Sequence, residues 1–133
     1  MRIMLDTNII FSAIYNPASI PYLAYEKSSL PPNTLVLCDQ IIDELRRIFN
    51  RKFPNKIPSL EKFLAIASYD LITLSPDDMV YDDETHVRDT NDRPILRASR
   101  KANVDILITG DKDFLESGIH NPKIMTATEF LNM

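Results

Sequence analysis

The sequence predicts an α/β domain with a mainly parallel sheet. Three observations lead there. Short apolar runs alternate with longer amphipathic ones along the 133 residues, the pattern of strands joined by helices. The stretch after Asp39 sets Ile41, Ile42, Leu45, Ile48 and Phe49 on one continuous helical face. No repeat, low-complexity tract or linker interrupts the chain, so residues 1–133 are expected to form a single domain.

The elements follow in order. Arg2 to Leu5 reads as a short buried strand that ends at Asp6. Thr7 or Asn8 is then the expected cap of a helix through Ile14, which Asn16-Pro17 stops. A second helix is expected over Ser19 to Lys27, and Pro31-Pro32 closes that region. Thr34 to Cys38 is the second strand. Asp39 is the expected cap of a strong helix from Gln40 to about Arg51. Pro54 and Pro58 break the chain before a helix from Ser59 to Tyr69, and Leu71 to Leu74 is a third strand. Ser75 to Asp89 is polar and irregular. Thr90 is the expected cap of a helix from Asn91 to Ala102, with Pro94 in its first turn. Asp105 to Thr109 is a clear strand, and Gly110 turns the chain after it. Lys123 to Thr126 is a last short strand, after which Thr126 caps a terminal helical turn.

Composition narrows the function classes. Hydrophobic residues at 44% and charged residues at 26% are those of a water-soluble globular chain, and no apolar run approaches transmembrane length. The apolar start is too short for a signal peptide and an acid interrupts it, so a cytoplasmic protein is expected. Glycine occurs only at Gly110 and Gly118, which rules out a Walker A loop or a dinucleotide fingerprint and hence a nucleotide cofactor held that way. The lone Cys38 ends an apolar run and reads as a buried small hydrophobe. The net charge of −4 runs against a nucleic-acid ligand unless the acids gather where cations neutralise them.

The acids do gather. Ligands of open parallel sheets bind beyond the carboxyl ends of the strands. Asp6 follows the first strand, Glu44 lies early in the helix after the second, and Asp111 and Asp113 follow the fourth. Asp89 and Asp92 open the helix that leads into the fourth. Glu44 falls about 60° from Ile41, at the edge of the apolar face, whereas its neighbour Asp43 lies about 160° from Leu45 and points outward. Asp92 falls between Ile95 and Leu96, inside the apolar arc. A solvated or dipole-stabilising acid would be unremarkable near a helix start. An inward-facing one needs a partner, because an unpaired buried charge is costly. Hard oxygen donors with little histidine suit Mg²⁺ or Mn²⁺ rather than Zn²⁺.

The residues also resemble a known family. Leu5-Asp6-Thr7-Asn8 resembles the opening of PIN domains. The segment Arg88 to Ala98 resembles the helix bearing their third acid, and Ala102 to Leu115, with Thr109-Gly110-Asp111-Lys112-Asp113, their fourth-acid strand and turn. The ending Thr126 to Leu131 resembles members with a final Thr-x-x-Glu-Phe-Leu segment. Within that family the chain most resembles the single-domain toxins related to ribonucleases of the VapC type. The resemblance implies a three-layer α/β/α sandwich around a mainly parallel sheet, with Asp6, Glu44, Asp92 and Asp111 as the acidic quartet. It adds Asp113 as a further metal ligand and Thr7, Asn8 and Thr109 as support for the carboxylates. Asp89 stands as the alternative to Asp92.

The same resemblance implies a Mg²⁺- or Mn²⁺-dependent endoribonuclease. Water would attack the phosphodiester in line, leaving a 5′-phosphate and a 3′-hydroxyl. Its partners would be RNA, a cognate antitoxin and a second copy in a homodimer, with no membrane. RNA-backbone contacts are expected from two sets of basic residues. One is Arg46, Arg47, Arg51, Lys52 and Lys56, and the other is Arg93, Arg97, Arg100 and Lys101; Arg46, Arg93 and Arg97 head these sets. The acidic run Asp77-Asp78 and Asp82-Asp83-Glu84 reads as a solvated loop. Asn8 stands where a haloacid-dehalogenase-type phosphatase needs a second Asp, and Ser75-Pro76 where a receiver domain needs an Asp. A PIN fold used only for binding is the remaining alternative; degenerate members lose part of the quartet, and all four positions are acidic here.

Overall fold

A computed structural model describes residues 1–133. Five strands, β1 (Arg2–Leu5), β2 (Thr34–Cys38), β3 (Asp70–Ile72), β4 (Ile106–Ile108) and β5 (Lys123–Met125), form one sheet in the order β3-β2-β1-β4-β5. Every pairing is parallel. The three central strands are apolar on both faces because helices cover both sides, and Leu5, Cys38 and Ile108 are all buried.

The helices are α1 (Thr7–Tyr15), α2 (Ile20–Ser29), α3 (Asp39–Lys52), α4 (Ile57–Ile66), α5 (Arg93–Lys101), α6 (Lys112–Leu115) and α7 (Ala127–Leu131). Connections between parallel strands are right-handed, so the reversal of strand order after β3 sends α5 and α6 to the face opposite α1 to α4. The terminal α7 packs on α2. This is the three-layer α/β/α arrangement expected from sequence. One contiguous core of 28 buried residues runs through it, with Phe49, Phe114 and Phe130 among its largest members.

Several local expectations shift, each for a physical reason. Strand β1 ends at Leu5 and α1 starts at Thr7, so Asp6, not Thr7 or Asn8, is the cap, and its side chain accepts from the Thr7 amide. Helix α3 begins at Asp39 itself after Cys38, one residue early. Helix α5 begins at Arg93 with Asp92 as its cap, rather than after Thr90. A start at Asn91 would have put Pro94 where an intrahelical amide is needed; a start at Arg93 leaves it in the first turn, where none is lost. A single helical turn, α6, follows Gly110 where the sequence suggested only a turn.

The acidic run between β3 and α5 is the clearest correction. Asp77 and Asp82 are exposed, as a solvated loop would have them, but the other three acids are not free. A short 3-10 turn spans Asp82–His86, and Glu84 is only 2% exposed. Glu84 pairs with Arg97 at 2.7 Å, Asp83 with Arg100, and Asp78 with Lys101 at 3.0 Å. These three acids clamp the segment onto the basic side of α5, and each neutralises a cation of the second basic set.

Candidate active site

In a sheet of this order the switch point lies between β1 and β4, where successive connections leave in opposite directions. Leu5 pairs with Ile108 there, and the next residues on the two strands are Asp6 and Thr109. The Asp6 amide donates to the Ile108 carbonyl at 2.9 Å, which fixes where the carboxylate starts. The Thr109 hydroxyl donates to Asp6 Oδ2 at 2.8 Å, and the Thr7 amide donates to Oδ1 at 2.8 Å. The same Thr109 oxygen accepts from the Asp111 amide at 3.0 Å. One buried hydroxyl therefore ties together the acids that follow β1 and β4.

Asp111 caps α6, its Oδ1 accepting from the Asp113 amide at 2.9 Å. Glu44 projects from the second turn of α3, and its Oε2 accepts from the Thr7 hydroxyl at 3.0 Å. Asp92 caps α5 in position but not by hydrogen bonding. Its side chain makes no cap bond, and its buried Oδ2 has no partner. Its phase is the inward one, since Ile95, Leu96 and Ser99 on the same arc are buried.

These environments tell on the proton affinities. Burial pushes the Asp6 carboxyl up to about 6, against the hydrogen bonds from Thr109 and Thr7, while the charges of Glu44 and Asp111 add to the rise. Burial likewise pushes Asp92 up to about 8, helped by contact with the Asp111 carboxyl and by the charges of Asp6, Asp111 and Asp89. The cluster opposes its own ionisation. A cation is the partner that would relieve both the repulsion and the orphaned oxygen.

The carboxylates of Asp89, Asp92 and Asp113 each place an oxygen within 4.8 Å of the others. Asp92 thus adjoins two groups of acids, Asp6 with Asp111 on the sheet side and Asp89 with Asp113 toward solvent. Arg88 bonds Asp113 at 2.9 Å and is the cation already present at the outer group.

A sequence model of the PIN domain matches residues 2–113. The chain belongs to the PIN domain family. No curated protein sequence matches it. Among solved structures, the VapBC2 complex of Rickettsia felis, bound to a DNA fragment from its promoter, superposes with a TM-score of 0.72. Identity there is 23%, over 95% of this chain and 98% of that one. The VapBC-1 structure of nontypeable Haemophilus influenzae gives 0.64 at 22% identity, over 96% and 99%. VapC20 of Mycobacterium tuberculosis, described as a toxin that cleaves the sarcin-ricin loop, gives 0.59 at 17% identity, over 88% and 95%. At such identities the likeness is one of fold.

Within this PIN domain the residues anticipated from sequence are distributed unevenly. Asp6, Asp92 and Asp111 converge at the switch point, Glu44 reaches it through Thr7, and Thr7 and Thr109 hold carboxylates directly. Asn8 does not join them: it is exposed and its side chain makes no hydrogen bond. Asp89, held in reserve on sequence grounds, lies in the outer group. Of the basic residues, Arg46 chelates Glu61 on α4, and Arg97 is committed to Glu84. Arg93 donates to the Val87 carbonyl at 3.0 Å. Their sequence positions did not reveal these partners, because each partner comes from a different element.

Proposed function

We propose that this PIN domain is a divalent-metal-dependent endoribonuclease and the toxin of a toxin–antitoxin pair. The observation that carries the reading is the Asp92 oxygen, buried and unpartnered beside Asp6 and Asp111 at the switch point. Asp6, Asp92 and Asp111 would hold a Mg²⁺ or Mn²⁺ ion, with Glu44 and Asp113 direct or through water. All-oxygen donors without histidine fit those hard ions. When bound, the ion would offset negative charge developing on the phosphoryl oxygens and make water at the site more acidic.

The chain's own part is positional. Thr109 and the Thr7 amide fix both oxygens of Asp6, so its carboxylate cannot rotate away. Thr7 holds Glu44 toward the same edge, and the Asp113 amide holds Asp111. Hydrolysis there forms a bond from a water oxygen to phosphorus and breaks the bond to the 3′ oxygen. The products are a 5′-phosphate and a 3′-hydroxyl. The likeness to VapBC and VapC structures favours the toxin reading and an antitoxin as partner; the proposed assembly is a homodimer. No helix is long and apolar enough to cross a membrane, and the proposed place of action is the cytoplasm, where RNA is.

The test uses purified protein, labelled single-stranded RNA, and Mn²⁺ or EDTA. Cleavage is expected with Mn²⁺ and not with EDTA, and Asp6→Asn should abolish it. Mn²⁺ binding without cleavage would favour the binding-only PIN fold. Absence of Mn²⁺ binding by calorimetry would sink both the site and the activity. For the toxin role, induced expression should arrest growth, and Asp6→Asn should not.

A further inference from the structure

An open cleft of about 470 Å³ runs along α3 beside the acidic site. One wall is the stripe Gln40, Glu44, Arg47 and Arg51, residues spaced as one helical face. The other wall is Thr90, Asn91 and Pro94, the segment that presents Asp92. The cleft thus opens at Glu44, on the edge of the candidate cation site, and leads away from it past two guanidinium groups.

Those two guanidiniums are distinctive in the molecule. Arg2, Arg46, Arg88, Arg97 and Arg100 all form ion pairs, and Arg93 donates to a carbonyl. Arg47 and Arg51 donate to nothing, although Glu44 is one turn from Arg47 and Asp43 is four residues from it. Glu44 has turned to Thr7 instead, and Asp43 lines a different cavity with Arg46, on the far side of α3. Arg46 and Arg47 are adjacent in sequence but about 100° apart around the helix, and this separates a structural arginine from a free one.

Resting on the nuclease reading above, we propose that Arg47 and Arg51 form the phosphate-binding wall of this cleft, gripping the RNA strand that flanks the scissile phosphate. A strand with one phosphate at Asp6, Asp92 and Asp111 brings further phosphates close to a strongly acidic edge and needs positive charge beside it. Arg47 and Arg51 stand one turn apart, about 6 Å along the axis. A guanidinium can engage phosphate with two parallel donors. Contacts of this kind hold the strand without reading its bases.

Fluorescence anisotropy with a labelled single-stranded RNA measures the grip whether or not the chain cleaves. The variant is Arg47→Gln with Arg51→Gln. The control is Arg46→Gln with Lys62→Gln, which removes the same charge away from the cleft. The cleft variant should bind RNA at least tenfold more weakly than the control. Its log–log salt slope should be shallower than the wild-type one by about 1.4, the value for two lost contacts to a single strand. Both variants should keep the wild-type Mn²⁺ affinity, and the cleft variant, whose arginines bond nothing in the fold, should keep the wild-type melting temperature. If the wild type cleaves, the cleft variant should raise KM and leave kcat within about twofold.

Equal binding and equal salt slopes in the cleft variant and the control overturn the proposal, as does a wild type that binds no RNA. A polyglutamate peptide that displaces RNA at equal charge concentration, and needs the same two arginines, also overturns it in favour of an acidic polypeptide. Loss of cleavage in the wild type with arginine-dependent RNA binding intact would instead count against the nuclease reading alone.

Discussion

Asp92 distinguishes a metal ligand from a helix cap more sharply than any other residue here. It sits at the cap of α5, yet its side chain makes no cap bond and one oxygen has no partner. If it served only the helix dipole, Asp92→Asn would cost a few tenths to about 1 kcal/mol and leave activity nearly unchanged. As a ligand, its replacement should weaken Mn²⁺ binding and lower turnover by orders of magnitude. In EDTA the melting temperature should hold or rise, because the fold no longer has to accommodate a buried carboxyl whose ionisation its neighbours oppose. Calorimetry with Mn²⁺ and a melt in EDTA read the two effects separately; near-normal Mn²⁺ binding by the variant would transfer the role to Asp89. Asp6 is a different case. An asparagine there keeps an oxygen for the Thr7 amide, and its NH2 can donate to the Thr109 hydroxyl in place of accepting from it, so Asp6→Asn should leave the fold in place while cleavage is lost. A large fall in melting temperature would mean that Asp6 chiefly joins β1 to α1.

At the scale of elements, the segment between β3 and α5 is anchored by buried Val87 and, more unusually, by ion pairs. Glu84 is nearly fully buried against Arg97, and also accepts from the Tyr81 amide. Burial raises the proton affinity of Glu84, but Arg97 and that amide outweigh it and hold the carboxyl below its usual range. Removing one partner of a buried pair strands the other's charge. Arg97→Met should therefore destabilise the protein by about 3 kcal/mol, the low end for buried pairs, since Arg97 keeps some solvent contact. Arg100→Gln faces a more exposed Asp83 and should cost under about 1 kcal/mol. Urea unfolding of the two variants gives the comparison, and equal losses would refute the distinction. By contrast α3 is held by its apolar face, with Phe49 fully buried, so Phe49→Ala should cost about 3–5 kcal/mol.

For the molecule as a whole, the clustering of acids sets how stability varies with pH. In the folded, metal-free protein Asp6 keeps its proton up to about pH 6, whereas the unfolded chain releases it near 3.8. Between those values the folded state binds more protons than the unfolded one, so stability falls as pH rises. Asp92 carries the fall on toward pH 8. Melting temperatures in EDTA should therefore drop from pH 5 to pH 8, with Asp6 alone contributing on the order of 1 kcal/mol over that window. Saturating Mn²⁺ should flatten or reverse the slope, because it binds the deprotonated acids. A rise with pH in EDTA would show that the acids are not clustered. The strand-and-helix alternation, the parallel sheet, the large α3 face and the inward phase of Asp92 were all legible in the sequence. They rest on local periodicity, which the chain carries within a turn or two. The sharing of Thr109 between Asp6 and Asp111, the pairing of the acidic run with α5, and the separation of Arg46 from Arg47 into different partners were not. Each depends on which distant segment arrives beside a side chain, and local spacing is blind to that; only the strand order and the packing of α3 against α4 and α5 decided it.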